Sequence, residues 1–170
     1  MSQLAPLNFK KWIEENRHLL KPPIGNAVVY NDAEFMIMVV GGPNSRTDYH
    51  IDPAEEFFYQ LEGDMMLKVV EDGQFRDIII REGDIFLLPA LIPHSPQRFP
   101  DTVGLVVERK RRSEEKDGLR WYCHECGNTL YEEVFHLQDI TTDLLPVMDR
   151  YHGDETNQKC DKCGHVSPKN

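Results

Sequence analysis

No stretch of this chain approaches the roughly 18 consecutive apolar residues of a membrane-spanning helix; the longest run, Phe35 to Val40, has the length of a strand. Positive charge is also scarce. The 19 Lys and Arg face 29 Asp and Glu, for a formal net charge of −10 and a pI near 5.1, so a nucleic-acid or anionic-membrane partner is electrostatically disfavoured. No apolar signal segment opens the sequence: Lys10, Lys11, Glu14 and Glu15 stand where its core would be. Cysteine is sparse, and all 4 residues fall in two Cys-x-x-Cys pairs, which suits metal binding in a reducing compartment better than a secreted disulfide framework. These absences point to a soluble, cytoplasmic, metal-dependent protein with neither a membrane nor nucleic acid as partner.

What is present fits one substantial core. At 170 residues and 40% hydrophobic content, the chain can bury a single core and still carry an appended module. Asn8 is a candidate cap for a short helix with Phe9, Trp12, Ile13, Leu19 and Leu20 on its apolar face, and Lys21-Pro22-Pro23 ends it. The pattern then changes to short β-type runs over 27–30, 34–40, 57–61, 65–71, 75–80, 85–88 and 103–108. Asp72-Gly73 marks a hairpin turn, and Glu82-Gly83-Asp84 opens another strand. Such a series predicts an all-β sandwich or closed barrel rather than alternating βα units. Residues 109–118 are polar and turn-rich, with a basic cluster beside Glu114, Glu115 and Asp117, and read as a solvated connector. The expected organisation is a β domain with its helix over 1–112, a linker over 113–118 and a small module over 119–170.

That module carries one strand-like run, 130–137, and Cys123-His124-Glu125-Cys126-Gly127 and Cys160-Asp161-Lys162-Cys163-Gly164, two matched knuckles 33 residues apart. Two residues between thiolates let both sulfurs reach one ion, and the following glycine permits the turn that aims backbone N–H groups at sulfur. Cys123, Cys126, Cys160 and Cys163 together make an S₄ site for zinc or a rubredoxin-type iron. With all four ligands from protein, the default role is structural. A zinc-ribbon role on nucleic acid is opposed by nine Asp/Glu against five Lys/Arg over 119–170. His124, His136, His152 and His165 read as surface or turn residues.

His50, Glu56 and His94 sit among the strand-like runs as ligands of a second metal would. Two imidazoles and one carboxylate on one face of an ion leave positions for substrate and O₂, as in non-haem Fe(II) oxygenases. Taken singly, Glu56 reads equally as a solvated strand residue and His94 as a hydrogen-bonded core histidine; the intervals favour the metal. The stretch from Gly42 through His50 and Glu56 to Gly63, and the stretch from Gly83 through Pro89 to His94, resemble the two motifs of the cupin family. There are two departures: Asp52 stands where a second histidine is usual, and Leu91 where a glycine is. The resemblance implies a double-stranded β-helix, or jelly-roll barrel, here with a small rubredoxin-like Cys₄ module.

The likeness narrows further. Lys21-Pro22-Pro23-Ile24-Gly25-Asn26, Val39 to Asn44, Arg46-Thr47-Asp48-Tyr49-His50, Glu55 to Gln60, His94-Ser95-Pro96-Gln97-Arg98 and Trp121-Tyr122-Cys123 are similar to the 3-hydroxyanthranilate 3,4-dioxygenase family. That resemblance implies Fe²⁺ on His50, Glu56 and His94, a second iron or zinc on the cysteines, and a homodimer. It implies extradiol-type cleavage of 3-hydroxyanthranilate by O₂ to 2-amino-3-carboxymuconate semialdehyde, the precursor of quinolinate. By resemblance, Arg98 grips the substrate carboxylate, aided by Arg46, which also acts on bound dioxygen. Glu108 bonds the substrate amino group and moves its proton, though an ion pair with a neighbouring arginine also explains a carboxylate in that apolar strand. Asn26 belongs to a segment closing over substrate, while Phe58 and Ile24 are pocket walls or ordinary core. A cupin dioxygenase of another aminophenol, or a non-catalytic cupin binding module, is the alternative expectation.

Overall fold

The computed structural model describes residues 4–22, 25–30, 33–140 and 142–168. Helix α1 (Phe9–Asn16) starts where the Asn8 side chain accepts a hydrogen bond from the Lys11 N–H at 3.0 Å. A 3₁₀ turn over Arg17–Leu20 continues it, and Ile13 and Leu20 pack with Ala27, Val39 and Val103 on the outside of a sheet. Of the expected Lys21-Pro22-Pro23 stop, Pro23 lies outside the described residues, as does Ile24.

Strands β1 (Asn26–Tyr30), β2 (Phe35–Gly41), β4 (Glu56–Glu62), β7 (Ile85–Leu88) and β9 (Val103–Arg109) form one sheet in the order β1-β2-β9-β4-β7. The second sheet runs β11-β10-β3-β8-β5-β6. Its members are β3 (Tyr49–Ile51), β5 (Met65–Glu71), β6 (Gln74–Ile80), β8 (His94–Arg98), β10 (Asp117–Tyr122) and β11 (Thr129–Phe135). Every pairing is antiparallel, and Asp72-Gly73 turns the β5–β6 hairpin. The inner faces meet in a core of Met38, Phe58, Leu88 and Val106 from one sheet with Met65, Leu67, Val69 and Ile80 from the other, each at most 4% exposed. This is the expected jelly-roll barrel.

Directly opposed residues of antiparallel strands share a face, so the register sorts the interior into rows. Met36, Glu108, Glu56 and Leu88 form one; Val28, Met38, Val106, Phe58 and Phe86 the next; Asn26, Val40, Gly104 and Gln60 the third. Across the barrel, His50 and His94 pair directly and continue into Leu119 and Val69.

Three strands escape the sequence pattern. β3 is three residues long, β8 is His-Ser-Pro-Gln-Arg with no apolar alternation, and β10 begins inside the expected connector. Asp117 and Gly118 are buried, and Gly118 pairs with Ile51. The solvated linker over 113–118 is therefore corrected at its end: its last two residues belong to the barrel sheet. Helix α2 (Leu144–Gly153) also went unread because Pro146 interrupts the pattern, although a proline in the first turn displaces no intrahelical hydrogen bond.

Leu119 and Trp121 of β10 pack with Leu137, Leu144, Val147 and Tyr151 in a core of their own. Trp121 is stacked on Tyr151, with ring centroids 4.3 Å apart and 13° between planes. Trp121→Ala is expected to lose about 3–5 kcal/mol of unfolding free energy, checked by urea denaturation followed by circular dichroism.

Candidate metal centres and substrate site

The cysteine knuckles close on one point. Cys123 N–H donates to Asn128 O and Gly127 N–H to Cys123 O; Cys160 N–H donates to His165 O and Gly164 N–H to Cys160 O, so the two loops share one bonding scheme. Gly127 and Gly164 take φ of +69° and +77°, which favours residues without a Cβ. Sulfur–sulfur distances are 3.6 Å for Cys123–Cys163 and for Cys126–Cys160, and the four sulfurs all lie within 4.8 Å of one another. A tetrahedron with metal–sulfur bonds of about 2.3 Å has edges of about 3.8 Å. The donor set therefore fits a four-coordinate ion.

Inside the barrel, His50 on β3 and His94 on β8 lie with ring centroids 5.3 Å apart, facing Glu56 at the start of β4. His94 Nδ1 is 3.0 Å from the Ile92 carbonyl, to which it donates, so a neutral ring presents its Nε2 lone pair. That Nε2 is 2.8 Å from Glu56 Oε2. Even so, Glu56 Oε2 has no geometrically acceptable hydrogen bond among the described residues. With the ring neutral, both atoms present lone pairs to the same space, as ligands of one cation do. With no cation between them, burial opposes the charged form of each group but the facing charges prevail: His94 is raised above the usual imidazole range and Glu56 held below the usual carboxylate range.

His50 is turned differently. Its Nε2 lies 2.7 Å from Asp117 Oδ2, and among the described residues only the cysteines bring three or more donor atoms within 4.8 Å of one another. The structure thus gathers His50, Glu56 and His94 on facing walls and aims Glu56 and His94 together, while Asp117 engages His50. Asp52, at the position where a further histidine is usual, accepts from Ala54 N–H at 2.7 Å and from Arg111 Nη2 at 2.8 Å. Arg111 also donates to Asp117 and, at 2.9 Å, to Glu108 Oε2.

Glu108 is 1% exposed, and its Oε1 has no partner among the described residues. Burial, with Glu56 opposite it, pushes its carboxyl well above the usual range. Arg98 is 4% exposed and its Nη1 is likewise without a partner. Burial drops its guanidinium to about 10. Asn44 pins its strand, accepting from Arg98 N–H at 2.7 Å and donating to Pro96 O at 2.9 Å. Gly104 makes room for the guanidinium: a Cβ there would lie 2.6 Å from Arg98 Nη1.

Arg46 is half-buried and ion-paired with Asp48. Asn26 opens β1 in the inner row with Gly104, and Phe58 lies in the core with its ring edge-on to His94 at 6.5 Å. A cavity of 620 Å³ lined by Val28, Met36, Arg111, Leu137 and Ile140 lies at the end of the barrel where Met36 shares a row with Glu108. A larger hollow of 660 Å³ is on the outer face of the second sheet, beside Ile51, Phe75 and Val134.

Sequence reasoning missed Arg111 and Asp117. Arg111 stands in a run of four basic residues that nothing in the chain distinguishes. Asp117 had a usable signal, the Gly118-Leu119-Arg120-Trp121 run that follows it.

A jelly-roll barrel with histidines on one inner wall and a carboxylate on the other is a cupin. The family model described as 3-HAO, 3-hydroxyanthranilic acid dioxygenase, matches residues 1–152, and the chain belongs to that family. Among curated relatives, the 3-hydroxyanthranilate 3,4-dioxygenase of Xanthomonas euvesicatoria pv. vesicatoria is 54% identical over 165 residues, 97% of this chain and 93% of that one. The Neurospora crassa protein of the same name is 55% identical over 168 residues, 97% and 93% of the two chains. That of Jannaschia sp. is 53% identical over 169 residues, 99% and 94%.

Two outcomes follow. Cys160→Ser should remove one metal equivalent per chain, measured by plasma mass spectrometry, and lower the melting temperature. Arg98→Met, which replaces a buried cation lacking a bonded counter-charge, should unfold at an equal or higher temperature than the parent, measured by calorimetry.

Proposed function

We propose that the chain is an Fe²⁺-dependent dioxygenase that opens the ring of 3-hydroxyanthranilate, with His50, Glu56 and His94 as the iron ligands. The observation that carries the reading, beyond family membership, is Arg98: a buried guanidinium with an unpartnered Nη1, two strand repeats along from His94. A cation left without a bonded carboxylate inside a protein is costly unless a ligand supplies the anion. The substrate carboxylate fits that place, and a guanidinium fork grips it in two places.

Ferrous iron, when bound, supplies the Lewis acidity and one-electron chemistry that bring an aminophenol and O₂ to reaction. The chain does the rest. Glu108 directs its free Oε1 towards the substrate amino group, with Arg111 fixing the other oxygen, and takes or returns a proton there. Arg46 adds positive charge where it develops on dioxygen, and Asn26 contributes at the barrel mouth. Both oxygen atoms enter the product, 2-amino-3-carboxymuconate semialdehyde, which cyclises to quinolinate on the route to NAD.

The second metal, iron or zinc on the four cysteines, is read as structural. Among the described residues no helix is long and apolar enough to cross a membrane; the grouping of all four cysteines as candidate metal ligands supports a cytoplasmic setting. A homodimer is supported by the outward apolar face of the first sheet, where Phe35, Ile85 and Leu87 are 54%, 67% and 54% exposed.

Oxygen uptake by the full chain, reconstituted anaerobically with Fe²⁺ and given 3-hydroxyanthranilate, is the deciding measurement. Stoichiometric uptake with both labelled oxygen atoms in a ring-opened product is expected; iron bound with no uptake would sink the assignment. Glu56→Ala should abolish turnover without unfolding the chain. Arg98→Met should raise KM about a hundredfold, whereas Glu108→Gln should lower kcat about a hundredfold.

A further inference from the structure

Arg111 lies at the centre of the buried charges, with 5% of its side chain exposed. Its Nη1 donates to Glu108 Oε2 at 2.9 Å, its Nη2 to Asp52 Oδ2 at 2.8 Å and to Asp117 Oδ2 at 2.7 Å, and its Nε to Asp117 Oδ1 at 3.0 Å. All three carboxylates border the proposed ligands. Asp52 is two residues beyond His50, Asp117 touches His50 Nε2 at 2.7 Å, and Glu108 stands opposite Glu56 in the same inner row. Buried carboxylates take the nearest cation available, and oxygen donors suit any hard divalent ion. Without Arg111 these carboxylates lose the one guanidinium that holds all three, and a metal bound beside them becomes an alternative partner.

We propose that Arg111 is a positioning residue that limits the coordination number of the barrel metal, holding Asp52, Asp117 and Glu108 off the ion so that only His50, Glu56 and His94 bind it. The inference rests on those three being the ligands. Its functional consequence is that coordination positions stay open for an aminophenol, which binds through two adjacent atoms, and for O₂. The same guanidinium ties the His50 side of the centre, through Asp117, to the substrate side, through Glu108.

Mn²⁺ is a suitable probe, because it prefers oxygen donors over the thiolates of the second site. The full chain with zinc on its cysteines would be titrated with Mn²⁺, reading affinity from the free-ion magnetic resonance signal and bound water from proton relaxation. Arg111→Gln should bind Mn²⁺ about tenfold more tightly, with lower relaxation per bound ion because carboxylate replaces water. Arg111→Gln with Asp52→Asn should move both readings back towards the parent. Should Arg111→Gln fail to fold, Arg111→Lys carries the test: its single ammonium cannot span three carboxylates, so the same shifts should appear at smaller size. Unchanged affinity and relaxation in the Arg111 variant, with Mn²⁺ binding lost in Glu56→Ala, would overturn the proposal alone. Mn²⁺ binding that survives Glu56→Ala would overturn the ligand assignment and the proposal with it.

Discussion

Glu56 and Glu108 face each other on neighbouring strands beside an apolar row of the barrel interior, and neither can be hydrated as it would be at the surface. Like charges opposed on a sheet repel, and burial multiplies the effect. Much of the interior can be read as the answer to that problem. His94 comes up against Glu56, Arg111 reaches Glu108 while also satisfying Asp52 and Asp117, and the Glu108 carboxyl is driven towards its neutral form. Arg98 is a buried cation left without a bonded carboxylate among the described residues.

The same charge arrangement explains why the C-terminal segment is not a detachable appendage. Asp117, which engages both Arg111 and His50, is the first residue of β10, and Cys123 follows the last. One strand therefore carries a partner of the barrel histidine at one end and a cysteine ligand at the other. Between them, Leu119 and Trp121 anchor the strand in the second core. The order of the cysteine site and the order of the histidine wall are mechanically connected through about six residues of extended backbone, roughly 20 Å.

Much of the fold could be read from the chain because apolar alternation and turn chemistry agree over β1, β2, β4 to β7 and β9. The strands that could not be read carry His50, His94, Arg98 and Asp117. His94-Ser95-Pro96-Gln97-Arg98 turns polar side chains inward, so the hydrophobic period that signals a strand is absent where the site is built. Motif spacing singled out His50, Glu56 and His94, which the fold places on facing inner walls, since intervals survive when periodicity does not. Arg111 had neither signal, and Asp117 only the short apolar run that follows it. Their significance lies in long-range hydrogen bonds, Arg111 to a carboxylate 59 residues away and Asp117 to a histidine 67 residues away, and local composition cannot report these.

Gly104 offers a different kind of information. It contributes no side chain, yet the space above it is taken by the Arg98 guanidinium and the Gln60 amide oxygen, 2.6 and 2.8 Å from where a Cβ would be. The glycine and the arginine are one feature distributed over two strands, a peg and the notch cut to receive it. A barrel of this kind with a side chain in the notch has no place to seat the peg in this pose. A side chain added at Gly104 would therefore unseat the Arg98 guanidinium from a strand of the other sheet, changing the charge inside the barrel without altering a single charged residue.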